Sequence, residues 1–177
     1  TYSDHAQEMG GQVPAEPVMF LKPSTSVVGS GDAIVLPALS SEVHHEAELA
    51  IVIGRLCRDV PADRASEVIL GYMCANDVSA RDLQKRDGQW SRAKGFDTFC
   101  PIGPWIETDL DPGDVRITCT VDGRTRQDSR TSELQFSVGE LVAWASSAMT
   151  LLPGDVILTG TPAGVGTIVA GNVVEVS

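Results

Sequence analysis

The chain has no long apolar run, few cysteines and no excess of positive charge, and each shortage removes a class of function. Crossing a bilayer takes roughly 20 consecutive apolar residues, and no stretch of the 177 residues approaches that length. No basic, apolar and small-residue succession of a secretory signal opens the chain. Only 13 lysines and arginines stand against 24 aspartates and glutamates, a net charge of −11. That balance leaves no electrostatic footprint for nucleic acid or for an anionic membrane surface. Cys57, Cys74, Cys100 and Cys119 are far apart and form no zinc-type spacing. They are expected to be small buried hydrophobes of a cytoplasmic, reducing compartment. Neither repeat nor linker composition interrupts the sequence, and the nucleotide-binding motifs are missing too. Gly29-Ser30-Gly31 precedes no helix, and Thr159–Gly166 lacks the Lys-Ser/Thr ending of a phosphate-binding loop.

What is present is a 42% hydrophobic chain, enough for one domain with a real core, so residues 1–177 are expected to form a single catalytic domain. A start at Thr1 without Met, and an end at Ser177, lead us to expect a trimmed piece of a longer chain. Many short strands with few helices and no regular strand–helix alternation predict an α+β, strand-dominated architecture of mixed-sheet sandwich type. Strands are expected at Val18–Lys22, Val27–Val28, Ala33–Leu36, Glu46–Ile53, Tyr72–Asp77, Val115–Val121 with a hairpin return after Asp122-Gly123, and Val156–Leu158. Helices are expected over residues 1–11, from Val60 to about Leu70, after Asp77 or Ser79, and after the Ser137–Glu140 capping box.

The most informative stretch runs from His44 to Gly54. Because a strand repeats every two residues, Glu46 and Glu48 point from one face at the mouth of an otherwise apolar run. Two like charges there need a cation or protons to compensate them, a first indication of a metal. Asp77 closes another apolar strand, and on local grounds a helix N-cap is its favoured role. His5 and Glu8 share a face of the first helix, where a solvated terminus is the plain reading. The hydroxyls and glycines of Thr159–Gly166 suit either a multiple turn or a small anion.

Together these pieces resemble the fumarylacetoacetate hydrolase family over nearly the whole chain. The resemblance rests on six blocks in order: Asp4–Met9, Phe20–Ser24, His44–Leu49, Asn76–Asp82, Lys94–Pro101 and Leu158–Gly166. It implies a mixed β-sandwich roll, a homodimer, and Mg²⁺ or Mn²⁺ held by Glu46, Glu48 and Asp77. The all-oxygen donor set independently suits a hard cation. It further implies a small oxo-carboxylate substrate whose 2-oxo-carboxylate end meets the metal, so that charge developing as a C–C bond breaks is stabilised there. Lys94 would add positive charge at that point, and Arg81, Gln84 and Thr161 would bind substrate. His5 and Glu8 would activate water from a lid helix. His44 and His45 fall outside this set, with a structural role. The expected activity is hydrolytic or decarboxylative C–C cleavage of a 2,4-dioxo or oxaloacetate-like acid. The alternatives are isomerisation of 2-hydroxyhepta-2,4-diene-1,7-dioate and metal-dependent binding of a small acid without catalysis.

Overall fold

The structure, a computed structural model, describes residues 2–8, 10 and 14–177. In chain order its elements are α1 (Ser3–Glu8), β1 (Val27–Val28), β2 (Val43–His45), β3 (Ala47–Ile53), β4 (Ile69–Asn76), β5 (Ser79–Ala80), α2 (Arg81–Asp87), α3 (Ser91–Lys94) and β6 (Cys100–Pro101). They continue with β7 (Arg116–Val121), β8 (Arg124–Arg130), α4 (Val138–Ala148), β9 (Val156–Leu158), β10 (Gly166–Thr167) and β11 (Val174–Val176). The class is α+β and strand-dominated, as expected. The described strands pair into four open sheets, ordered β4-β3-β9, β10-β2-β5, β11-β7-β8 and β1-β6, the last parallel and the others antiparallel. Closure of these sheets into a roll is not part of the pairing. Among the described residues no helix is long and apolar enough to cross a membrane.

β3 is buried along its whole length, because β4 and β9 cover its two edges while Leu49 and Ile51 pack toward Ala65, Tyr72 and Val142. The capping box at Ser137 is made: its hydroxyl accepts from Glu140 N, and the Glu140 carboxylate accepts from Ser137 N. Asp122 and Gly123 both have positive φ, 51° and 72°, the backbone of the two-residue turn that the right-handed twist of a hairpin favours. Three expectations are corrected. Val18–Lys22 and Ala33–Leu36 form no strand and join no sheet; Ile34 and Leu36 pack on the core around Val43 and Phe99 instead. Residues from Val60 to Leu70 do not make an α-helix. Ala62–Glu67 is a 3₁₀ stretch with Ala65 as its single buried residue, too little apolar stripe to hold more turns. Gly71, just past the expected end of that helix, lies inside β4, where any Cβ would run into the Glu107 carbonyl.

One feature of the pairing positions the site. Ala47 faces Asn76 in one sheet and His44 faces Ser79 in the next. The two strand paths therefore leave one sheet and enter the other side by side, in unbroken register, with Glu46 and Asp77 opposite each other at the crossing. Asp77 N donates to Glu46 O at 2.9 Å, and Glu46 N donates to Asn76 Oδ1 at 2.9 Å.

Candidate active site

Glu46, Glu48 and Asp77 are all buried, and each offers an oxygen within 4.8 Å of the others. Asp77 is not a helix cap, which corrects the local reading. The cap position of α2 is Ala80, with no side-chain bond to the helix, and the Asp77 carboxylate turns toward the two glutamates.

Three cations converge on this cluster. Lys94, at the end of α3 and itself buried, donates to Glu46 Oε2 and Asp77 Oδ2, each at 2.7 Å, and lies over the Phe20 ring. Arg81 donates to Glu46 Oε1 and is steadied by Gln84 Oε1 at 2.8 Å and His44 Nδ1 at 3.3 Å. Lys22 donates to Asp77 Oδ1 at 2.6 Å and to the Lys94 carbonyl at 2.5 Å. The sequence reading had given Lys22 no role; its position before Pro23 in a Phe-Leu-Lys-Pro-Ser block was the available signal. Of the three, Glu48 makes no ion pair among the described residues, and it accepts from Gly160 N at 2.5 Å.

This asymmetry sets the charges. Burial drives the Glu46 carboxyl up, but Lys94 and Arg81 outweigh it and hold the pKa at about 2, with a smaller pull from His5 above. Burial and then the charges of Asp77 and Glu46 push Glu48 up to about 8. Burial disfavours the Lys94 ammonium, yet Asp77 and Glu46 overcome it, so the lysine stays charged. The donors are three convergent carboxylates, a set that suits a hard divalent ion, and Glu48, which has no cationic partner among the described residues, holds a proton that such an ion would displace. The residues fit such an ion.

The His5 Nδ1 lies 3.1 Å from Glu8 Oε2 on α1, so that carboxylate orients the ring and leaves Nε2 facing away. Glu8 Oε1 accepts from Gly164 N at 3.0 Å. The loop that follows β9 thus touches α1 at Gly164 and the acidic cluster at Gly160. Thr161, expected to bind substrate, donates its hydroxyl proton to Ala47 O at 2.8 Å and accepts from Gln127 Nε2 at 2.7 Å. Its proton is engaged on the protein, so a carboxylate gains no donor from this side chain. His45 is buried beside Gln127 and Cys119, and burial lowers its pKa, which keeps the ring neutral and structural.

The sequence pattern described as fumarylacetoacetate (FAA) hydrolase C-terminal matches residues 1–177. The chain belongs to the fumarylacetoacetate hydrolase family. A 5-carboxymethyl-2-hydroxymuconate delta-isomerase from Mycobacterium smegmatis is 62% identical and superposes with a TM-score of 0.93, over 99% of this chain and 70% of that one. A fumarylpyruvate hydrolase from Pseudomonas aeruginosa, solved with Mn²⁺ and pyruvate, is 37% identical with a TM-score of 0.91, over 99% of this chain and 80% of that one. The mitochondrial oxaloacetate tautomerase of Rattus norvegicus is 46% identical over 93% of this chain and 54% of its own length. Family members are therefore enzymes, and hydrolysis, isomerisation and tautomerisation are all represented among those similar to this chain.

Proposed function

We propose that this chain is the catalytic domain of a divalent-metal-dependent enzyme that cleaves a C–C bond in a small 2,4-dioxo or oxaloacetate-like acid. The observation that carries the reading is the buried cluster of Glu46, Glu48 and Asp77 with the Lys94 ammonium bridging two of its members. Glu46, Glu48 and Asp77 would hold Mg²⁺ or Mn²⁺, which supplies Lewis-acid polarisation of the substrate carbonyl. The Mn²⁺ and pyruvate bound by the Pseudomonas aeruginosa relative support that choice.

The chain's own residues do the remainder. Lys94, charged and desolvated, faces negative charge developing on the substrate oxygen, where a fixed cation is worth most. Arg81 holds Glu46 in place, and Gln84 holds Arg81. Nε2 of His5 takes a proton from water as its oxygen bonds to the distal carbonyl carbon, with Glu8 steadying the imidazolium. The C–C bond then breaks, its electron pair stays with the oxo-acid fragment, and the proton held by the His5 imidazolium passes to that fragment at carbon, which restores the base.

A second reading is favoured by the names of the relatives. Isomerase and tautomerase both move a proton without breaking the carbon chain, and the Mycobacterium smegmatis isomerase has 62% identity. Proton NMR of acylpyruvates, oxaloacetate and a hydroxy-diene dioate incubated with metal-loaded protein separates the two. Pyruvate, with or without CO₂ or a second acid, supports cleavage. Signal migration at constant mass supports isomerisation, and binding without turnover would leave only a metal-dependent acid-binding protein.

A further inference from the structure

Gln127 was passed over in the sequence, yet it holds the loop on which both halves of the site rest. It sits on β8, where the strand Arg124–Arg130 is largely solvated, but Gln127 itself is 1% exposed. Its Oε1 accepts from Ala47 N at 2.9 Å and lies 3.1 Å from His45 Nδ1; an amide oxygen only accepts, so His45 carries its proton on Nδ1. Its Nε2 donates to Thr161 Oγ1 at 2.7 Å and to Pro162 O at 2.8 Å. All four hydrogen-bonding positions of the amide are used, two on the strand path bearing Glu46 and Glu48 and two on the loop opposite.

That loop presents two backbone donors in different directions: Gly160 N to Glu48 and Gly164 N to Glu8. Both glycines have positive φ, 98° and 100°, and a Cβ at Gly164 would strike the carbonyl of Arg126, the neighbour of Gln127. The loop is thus pressed against β8 at the same place where Gln127 grips it.

We propose that Gln127 is a positioning residue that couples the lid helix to the acidic cluster: by fixing Thr161 and Pro162 it sets Gly160 N–H on Glu48 and Gly164 N–H on Glu8 together. Its catalytic meaning rests on the functional reading above, while the mechanical coupling does not. Losing the grip frees the loop, loosens Glu48 as a ligand, and lets α1 leave the site.

The test compares Gln127→Met, similar in volume and without hydrogen bonds, with wild type and with Ser137→Ala, which weakens the distant cap of α4 and serves as a stability control. Hydrogen exchange of the α1 amides in metal-free protein reads the coupling, and Mn²⁺ titration followed by electron paramagnetic resonance reads the ligand. Gln127→Met is expected to speed α1 exchange selectively and to weaken Mn²⁺ binding by about 10-fold, the lower range for partners that orient metal ligands. In an active enzyme kcat falls more than KM rises. Should the variant be merely less stable, with α1 exchange and Mn²⁺ affinity equal to those of Ser137→Ala, the coupling is refuted. If Gln127→Met does not fold, Thr161→Val breaks the same grip and Thr161→Ser restores it, and the same two readings decide. A wild type that binds no Mn²⁺ and turns over no substrate defeats the functional reading, and the exchange comparison still decides the coupling.

Discussion

Glu46 and Glu48 stand two residues apart, equally buried, and the fold gives them opposite charge states: Glu46 is paired with Lys94 and Arg81, whereas Glu48 meets only the Gly160 N–H. All three cations, Lys22, Lys94 and Arg81, go to Glu46 and Asp77, which leaves Glu48 as the position where a bound ion would complete the pairing.

The pH dependence of the metal-free protein follows. The Glu48 carboxyl, raised from 4.5 to about 8 by burial and by its acidic neighbours, favours the folded state fully below the unfolded value, and that contribution is lost as pH rises through about 8. Thermal melts in chelator are expected to fall between about pH 5 and pH 8 and to level off above that. Saturating Mn²⁺ reverses the trend, because binding displaces the proton and strengthens with pH over the same interval. Equal slopes with and without Mn²⁺ would contradict this.

Neutralising the two glutamates has opposite effects on stability. Glu48→Gln removes an uncompensated buried charge while keeping an acceptor for Gly160, so at pH 9 in chelator it melts above wild type. Glu46→Gln leaves Arg81 without its carboxylate and Lys94 with Asp77 alone, and costs about 3 kcal/mol. Both abolish Mn²⁺ binding. Urea unfolding with paired Mn²⁺ titrations checks the signs.

How much of this was legible in the sequence depends on the range of the signal. The Glu-x-Glu strand and the hairpin at Asp122-Gly123 are local patterns of period two and of turn geometry, and both are read correctly. For Asp77 the local pattern suggests a cap because capping is judged within a few residues, whereas its neighbour, Glu46, lies across a strand crossing; only the family resemblance places the two together. Lys22 sits in a segment without any sheet partner, and Gln127 in a run of exposed polar residues. Lys22 is placed by Asp77 and the Lys94 carbonyl, and Gln127 by the loop after β9, distant partners that no periodicity encodes. The unpaired Val18–Lys22 and Ala33–Leu36 show the same limit. Their composition fits a strand, but a ladder needs a second backbone alongside, and none of the described strands lies there.

Lys94→Met is predicted to lower kcat by about 10²-fold or more, the scale for losing one fixed group that stabilises developing charge. Lys22→Met leaves Lys94 in place to pair Asp77 and is predicted to cost about 10-fold, as expected for an outer partner of a ligand. Steady-state kinetics with the preferred substrate gives the ranking; a larger loss for Lys22→Met would reverse the assignment.

His5→Ala is predicted to reduce kcat by about 10²- to 10⁴-fold, the range for removing a general base, with substrate binding and Mn²⁺ affinity retained. Glu8→Gln, which keeps an acceptor for Gly164, is predicted to fall between His5→Ala and wild type. Single-turnover kinetics separates the chemical step from binding, and unchanged single-turnover rates in both variants would exclude the dyad from the reaction.

The central claim is that a divalent ion held by Glu46, Glu48 and Asp77 supports turnover of a small 2-oxo acid. Its most direct test is the rate of pyruvate or CO₂ release from acylpyruvates and oxaloacetate by chelator-stripped protein, before and after adding back Mg²⁺ or Mn²⁺. The account predicts release only after add-back, and none with Glu48→Gln. Release that persists without metal, or its absence from every substrate in fully loaded wild type, would contradict it.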